Sequence, residues 1–167
     1  MMCWYITALF LILTGCRESS GRTDSSRLRE TTYGTCYKVT GVKDGDTFVL
    51  LMNGREQVVR FAHIDCPEKK QPFGNQAKQF VAGLCFGKYV RLIHYNRYDR
   101  NRRLIAEVIL EDGRNLNKEL VRNGLAWHFK KYSGDTAYAI LETAARQQRK
   151  GLWAAENPVA PWNWRHR

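Results

Sequence analysis

From position 37 onward, apolar and polar residues alternate with a period of two, and turn residues break the pattern at short intervals. Tyr37-Lys38-Val39-Thr40-Gly41-Val42 has the alternation of a half-buried strand, and Thr47 to Met52 reads as a second. Asn53-Gly54 follows. Both residues tolerate positive φ, so the dipeptide predicts a tight hairpin. Arg55 to Ile64 is the return strand, ended by Pro67, and 69–75 is a polar loop. The spacing then switches to that of a helix, with Ala77, Phe80, Val81 and Leu84 on one face and Gly87 as the stop. Tyr89 to Tyr95 and Arg103 to Leu110 are the fourth and fifth strands, separated by a charged loop at 96–102.

Beyond the turn Asp112-Gly113, Leu116, Leu120 and Leu125 predict a short second helix that stops near Gly124. Asp135-Thr136 can cap a third, with Ala137, Ile140, Leu141 and Ala144 as its apolar face and Gly151 as its end. There is no internal repeat. Five short strands, one helix after the third and two at the end predict an α+β fold. The expected architecture is a closed five-stranded β-barrel of the OB kind with about three helices packed outside. The segment from Trp153 to Arg167 holds three tryptophans, two prolines and a basic end.

The first residues follow a different pattern. Trp4 to Thr14 is an uninterrupted, mostly apolar run without charge. It is too short to cross a bilayer, which takes about twenty residues, and suits the core of a secretory signal. It leads into Leu13-Thr14-Gly15-Cys16, which resembles the bacterial lipobox. That resemblance implies cleavage before Cys16, lipidation of Cys16 and a lipid-anchored protein of a bacterial cell envelope. The start, Met-Met-Cys-Trp-Tyr, lacks the usual basic residue, so plain secretion and an uncleaved anchor stay open. Residues 17–32 are rich in Ser, Thr, Arg, Glu and Gly and read as a flexible tether. The expected division is a signal at 1–15, a tether at 16–35, a domain at 36–155 and a basic tail at 156–167.

Charge narrows the partners. The chain of 167 residues carries 27 Lys+Arg against 16 Asp+Glu, a net charge of +11. Hydrophobic content of 44% excludes a disordered polyelectrolyte, so the surplus sits on a folded surface. Such a surface attracts nucleic acid, anionic lipid or acidic sugar, or it merely confers solubility. Nothing in the chain calls for a protein partner. Cys36, Cys66 and Cys85 lie in the domain without zinc-site spacing. Cys36 precedes the first strand and Cys85 the fourth, which are neighbours in an OB barrel. They are the expected disulfide pair in an exported protein; three buried thiols are the alternative.

Candidate chemistry concentrates in Asp44-Gly45-Asp46-Thr47, Arg60 and Asp65-Cys66-Pro67-Glu68. Carboxylates such as Asp46 and Asp65 suit a hard cation, Ca²⁺ above all. Arginine grips phosphate with a planar fork. A phosphodiester repels a nucleophile through its anionic oxygens. A cation and arginines offset that charge, while a base activates water. His63, His94, His128 and His166 have neither metal nor triad spacing. Lys69, Lys70, Lys130, Lys131 and Arg165-His166-Arg167 are candidates to track a polyanion, with Tyr98 and Tyr132 to stack on bases.

The order strand, Asp-Gly-Asp-Thr, hairpin, Arg, Asp-x-Pro-Glu, helix, strand, Asp-Arg-x-x-Arg is similar to the staphylococcal-nuclease (thermonuclease) family, over about residues 36–155. Pro161-Trp162-Asn163-Trp164-Arg165 resembles the tail of its bacterial exported branch. The resemblance implies a Ca²⁺-dependent endonuclease of low sequence specificity. It would act on DNA and RNA, prefer single-stranded or breathing duplex regions, and leave 3′-phosphates. It implies Asp46, Asp65 and the main-chain carbonyl of Cys66 as metal ligands, Glu68 as general base or water-orienting group, and Arg60 and Arg103 as phosphate-binding residues. The family pattern Asp-Arg-Tyr-Gly-Arg-Thr reads here Asp99-Arg100-Asn101-Arg102-Arg103-Leu104, so Arg102 is the alternative second arginine. A catalytically inactive OB module that binds nucleic acid is the rival reading.

Overall fold

The structure, a computed structural model, describes residues 35–166. The expected signal, lipidated Cys16 and nearly all of the tether lie outside the described residues. Among the described residues, no helix is long and apolar enough to cross a membrane.

The strands are β1 (Cys36–Val42), β2 (Thr47–Met52), β3 (Arg55–Phe61), β4 (Ile64–Asp65), β5 (Tyr89–Ile93), β6 (Leu104–Ile109) and β7 (Trp127–His128). The helices are α1 (Gly74–Cys85), α2 (Leu116–Arg122), α3 (Thr136–Gln147) and α4 (Pro161–Trp164), with a 3-10 turn at Gly151–Ala154. β1-β2-β3-β6-β5 form a closed barrel. The predicted hairpin is made at Asn53-Gly54, where φ is 51° and 75°. Closure comes from antiparallel pairing of β1 with β5 and from a parallel pairing of β3 with β6, Val59 opposite Leu104 and Phe61 opposite Ala106. Period-two alternation sends Val39, Phe48, Leu50, Val59, Phe61, Val90, Leu104, Ala106 and Val108 into the barrel, all buried. Phe48 and Phe61 meet edge to face with centroids 5.0 Å apart.

The predicted return strand differs in one respect that matters for function. It stops at Phe61, turns at Ala62-His63, where His63 has φ 68°, and resumes as β4, paired with β7 rather than with the barrel. Buried Asn117 on α2 holds this turn: its Nδ2 donates to the carbonyls of Ala62 and Ala106, and its Oδ1 accepts from Val108 N. The deflection carries Asp65 away from the barrel wall.

On α3 the buried face is Tyr138, Glu142 and Ala145, one step round from the predicted face, and Ile140 is 68% exposed. The apolar body of Tyr138 packs inward while its hydroxyl donates to Glu107. Glu142 is buried with a charged partner, Arg146. The expected Cys36–Cys85 bridge is not made, and Cys36, Cys66 and Cys85 are free thiols. β1 and β5 are neighbours as expected, but Cys36 lies opposite Arg91 on β5. Cys85 sits on the inner face of α1, and its Sγ donates to the Val81 carbonyl.

The fourth helix was not foreseen. α4 follows a Pro at its first helical position, where the missing N–H costs nothing. Trp162 stacks on Phe129 at 5.2 Å and meets Trp127 edge to face at 5.6 Å.

Candidate active site

The turn between β1 and β2 is tight because Gly45 has no side chain. A Cβ there would lie 2.6 Å from Ala77 Cβ on α1 and 2.9 Å from Cys66 Cβ. That contact presses the Asp44–Thr47 turn against the segment after β4. Asp46 Oδ2 accepts from the Cys66 N–H at 2.6 Å, and the Asp44 carboxylate accepts from Asp46 N at 3.1 Å. Asp46, in the turn after β1, and Asp65, at the end of β4, thus come together, both buried.

Arg60, at the end of β3, lies between them. Its Nη1 is 3.0 Å from Asp46 Oδ2, and its Nη2 donates to Asp65 Oδ1 at 2.7 Å. Nη1 also meets the carbonyls of Phe61 and Ile64. Burial alone would depress the Arg60 pKa, but the facing carboxylates of Asp46 and Asp65 outweigh it and hold the guanidinium above its ordinary value. Burial pushes Asp65 upward, against the pull of Arg165 and Arg60. Both Asp65 oxygens accept hydrogen bonds from guanidinium groups, contacts that favour the carboxylate. Asp44, next in the cluster, is pushed up to about 6, first by burial and then by the charge of Asp46.

Glu68 stands on the loop that precedes α1. The loop folds back because Gly74 opens the helix: a Cβ there would lie 2.0 Å from the Glu68 carbonyl oxygen. Buried Gln71 clamps it, accepting from Glu68 N at 3.1 Å while its own N–H reaches the Glu68 carbonyl at 2.8 Å. Arg103 enters from the start of β6, where its Nε donates to Asp99 Oδ2 at 2.7 Å and its Nη1 lies 3.4 Å from Thr47 Oγ1. Arg102 is exposed, in the left-handed region at φ 59°, where the family pattern has Gly.

Asp46, Arg60, Asp65, Cys66, Glu68 and Arg103 all line one cleft of about 870 Å³. Its far wall carries His94, Tyr95, Arg97 and Arg100, and its rim carries Phe129, Tyr132 and Trp162. Tyr132 is 70% exposed beside the cleft, whereas Tyr98 is exposed and not part of its lining. Lys69, Lys70, Lys130 and Lys131 are exposed.

Three features of the site escaped the sequence reading. The first is Arg165. Its Nη2 donates to Asp65 Oδ2 at 2.7 Å, and its Nη1 donates to Glu68 Oε1 at 2.6 Å. It was expected only to track a polyanion; the tail instead delivers it to the carboxylates. The second is a polar chain that reaches the cleft through His63 and Glu107. His63 Nδ1 and His128 Nε2 each lie 2.9 Å from Ser133 Oγ, and His63 Nε2 lies 3.7 Å from Glu107. The third is Glu107 itself, held down to about 2. His63 contributes most, then the hydrogen bonds donated by Tyr138 and Asn115, against burial. No local spacing announced these contacts, which join residues up to 100 positions apart.

Among the described residues, no three His, Cys, Asp or Glu side chains form a ready-made metal cage. The donor set still fits a hard cation that keeps several waters: two buried carboxylates and a main-chain carbonyl beside an open cleft. The Cys66 thiol is buried, and its pKa is raised well above the usual value by burial, so it remains a neutral thiol and no anionic ligand.

Residues 58–155 match the family model described as staphylococcal nuclease homologue. The chain is 39% identical over 130 residues to an uncharacterized endonuclease of Escherichia coli O157:H7, covering 78% of this chain and 84% of that protein. It is 40% identical over 132 residues to an uncharacterized endonuclease of Haemophilus influenzae, covering 78% and 72%. Against a micrococcal nuclease of Shigella flexneri the identity is 35% over 137 residues, covering 77% and 79%.

Proposed function

Since the chain belongs to the staphylococcal nuclease homologue family, we propose that it is a Ca²⁺-dependent endonuclease that cleaves DNA and RNA with little regard to sequence. One observation carries this reading: Asp46, Asp65, Arg60, Glu68 and Arg103, spread over four separate segments, line a single open cleft. Asp46, Asp65 and the Cys66 carbonyl would hold the cation, which supplies positive charge to offset the phosphate oxygens. Arg60 is pre-oriented by two carboxylates and two carbonyls and lines the cleft, so a phosphate would meet it with little further ordering cost. Arg103 is held through its Nε by Asp99, with Nη1 3.4 Å from Thr47 Oγ1, so its terminal nitrogens keep N–H groups to offer a phosphate. Glu68, on a loop pinned by Gln71, orients or deprotonates the attacking water. The exposed tyrosine at the rim suits an unpaired base, in keeping with a preference for single strands or breathing duplex. Contacts of this kind go to phosphate and carry little sequence information. As in the family pattern, the products would end in 3′-phosphates.

The same proposal places the mature chain at a bacterial envelope, anchored through lipid on Cys16. The apolar run and Leu13-Thr14-Gly15-Cys16 support it. Mass spectrometry of the native N-terminus should find an acylated Cys16; an unmodified start elsewhere would return the reading to plain secretion.

A digestion assay on purified protein tests the activity. Excess chelator should abolish cleavage of single-stranded DNA and of RNA, and Ca²⁺ should restore it. Glu68→Gln, Arg60→Lys and Arg103→Lys should each lower turnover by about 10²-fold or more, the usual effect of losing one positioned charge-stabilising group. Arg102→Lys should change it little, because Arg102 is exposed and the cleft lining takes Arg103. Nucleic-acid binding without cleavage under every cation would favour the inactive OB module.

A further inference from the structure

The C-terminal tail reaches the acidic cluster through an anchor built for the purpose. Trp162 lies flat on Phe129, their planes 6° apart, and its edge meets Trp127. Pro161 is buried, and the Val159 carbonyl accepts from buried Gln71, the residue that also clamps the Glu68 loop. The loop and the tail are thereby fixed to each other. One turn beyond Trp162, Arg165 spans Asp65 and Glu68, with its Nη1 also 3.4 Å from Asp65 Oδ1.

The charges show what that contact does. Asp46, Asp65 and Glu68 are three carboxylates, and they face two guanidiniums, Arg60 and Arg165. The Asp65 side chain is only 2% exposed, so removing a cationic partner leaves a buried charge uncompensated, a costly state. Arg60 cannot leave: it is buried at the end of β3 and bonded to two carbonyls as well. The Arg165 side chain is 42% exposed, on the residue that follows the short helix α4, and can leave. Its short contact is to Asp65 Oδ2, at 2.7 Å, whereas Arg60 holds Oδ1, which Arg165 only approaches at 3.4 Å.

We infer that Arg165 is a positioning residue that occupies the Asp65 side of the cation seat, braced on the neighbouring Glu68, until a divalent cation displaces it. The inference rests on the cation reading of the site. Replacing one guanidinium by a divalent ion carries the three carboxylates from a net charge of −1 to neutrality, so the exchange relieves the cluster rather than overcharging it. Arg165 therefore competes with the ion, setting the concentration at which the site loads, and keeps the carboxylates in place while the ion is absent.

Isothermal titration calorimetry with CaCl₂ alone, without nucleic acid, tests this on wild type, Arg165→Gln, Arg165→Lys and Trp162→Ala. Arg165→Gln should bind Ca²⁺ about tenfold tighter or more, the range expected for a lost charged hydrogen-bonded competitor. Arg165→Lys, which keeps the charge but not the fork, should fall between, and Trp162→Ala should shift the same way by releasing the tail. In chelator, Arg165→Gln should also lower the melting temperature more than it does in saturating Ca²⁺. Should Arg165→Gln fail to fold, the Lys and Trp162 variants carry the comparison. Wild type that binds Ca²⁺ with an affinity equal to or higher than that of the variants would overturn the competition while leaving the cation reading intact. No Ca²⁺ binding by any of the four would overturn both.

Discussion

Single residues do two kinds of work in this cleft, and Glu107 separates them. It sits on β6 and lines the cleft, accepting from Tyr138 at 2.7 Å and from Asn115 at 2.5 Å, with His63 opposite. Its pKa is held at about 2, against 4.5 for the free side chain. A carboxylate depressed on folding stabilises the protein fully above its unfolded value and loses that share as pH falls through the folded one. Glu107→Gln should therefore be less stable than wild type at pH 7, and the gap should narrow as pH drops from about 5 to 3. Denaturant unfolding across that range measures it; a gap independent of pH would mean that the network acts through packing and not through charge. His128 has the opposite chemistry. Burial pushes its pKa below the usual histidine value, so the buried ring is held neutral and its share of stability is lost as pH falls below about 6.5.

At the scale of elements, the loop between β5 and β6 sets where the second arginine points. Asp99 closes it: one carboxylate oxygen accepts from the N–H groups of Asn101 and Arg103, and the other accepts from the Arg103 side chain. The closure forces Arg102 to φ 59°, which costs a residue with a Cβ about 1–2 kcal/mol. Arg102→Gly removes that cost but adds about 0.5–1 kcal/mol of chain entropy lost on folding. The variant should be more stable than wild type by up to about 1 kcal/mol, read from its denaturation midpoint. A destabilised variant would show that the Arg102 side chain makes compensating contacts. The same reasoning explains α3. Its N-terminal end is set by the Asp135 cap, which accepts from Ala137 N at 2.8 Å, but its rotation is set by where Tyr138 finds a polar partner on β6, Glu107.

For the whole molecule, charge and cleft act together. A net charge of +11 concentrates polyanions near the surface, and the exposed lysines at 130 and 131 follow β7 at the cleft's edge. Binding of single-stranded DNA should weaken linearly in log–log form as salt rises, by about 0.7 in slope for each phosphate contact. In chelator, with a Glu68→Gln background that should slow any residual cleavage, Lys130→Ala with Lys131→Ala should make the slope shallower by about 1.4. Fluorescence anisotropy at several salt concentrations measures both. An unchanged slope would assign those lysines to solubility alone.

The sequence by itself determined the barrel strands, the Asn53-Gly54 hairpin and the helices near 77–84, 116–122 and 136–147, since period-two and helical spacing are local properties that burial of one face enforces. It also named Asp46, Arg60, Asp65, Glu68 and Arg103 as candidates, because each lies in a short recognisable motif and the motifs follow one another in a fixed order. Tertiary structure decided the rest. Arg55 to Ile64 has no break in its pattern at Ala62, yet Asn117, more than fifty positions later, bends it and so aims Asp65. Cys36 and Cys85 satisfy a topological argument for pairing, but the inner face of α1 turns the Cys85 thiol to its own helix. The rotation of α3, the seat of Glu107 and the contact of Arg165 with Asp65 and Glu68 depend on partners up to 100 positions away. Buried charges and hydrogen-bonding groups choose partners by proximity in space, and spacing along a chain holds no record of that proximity until the core has packed.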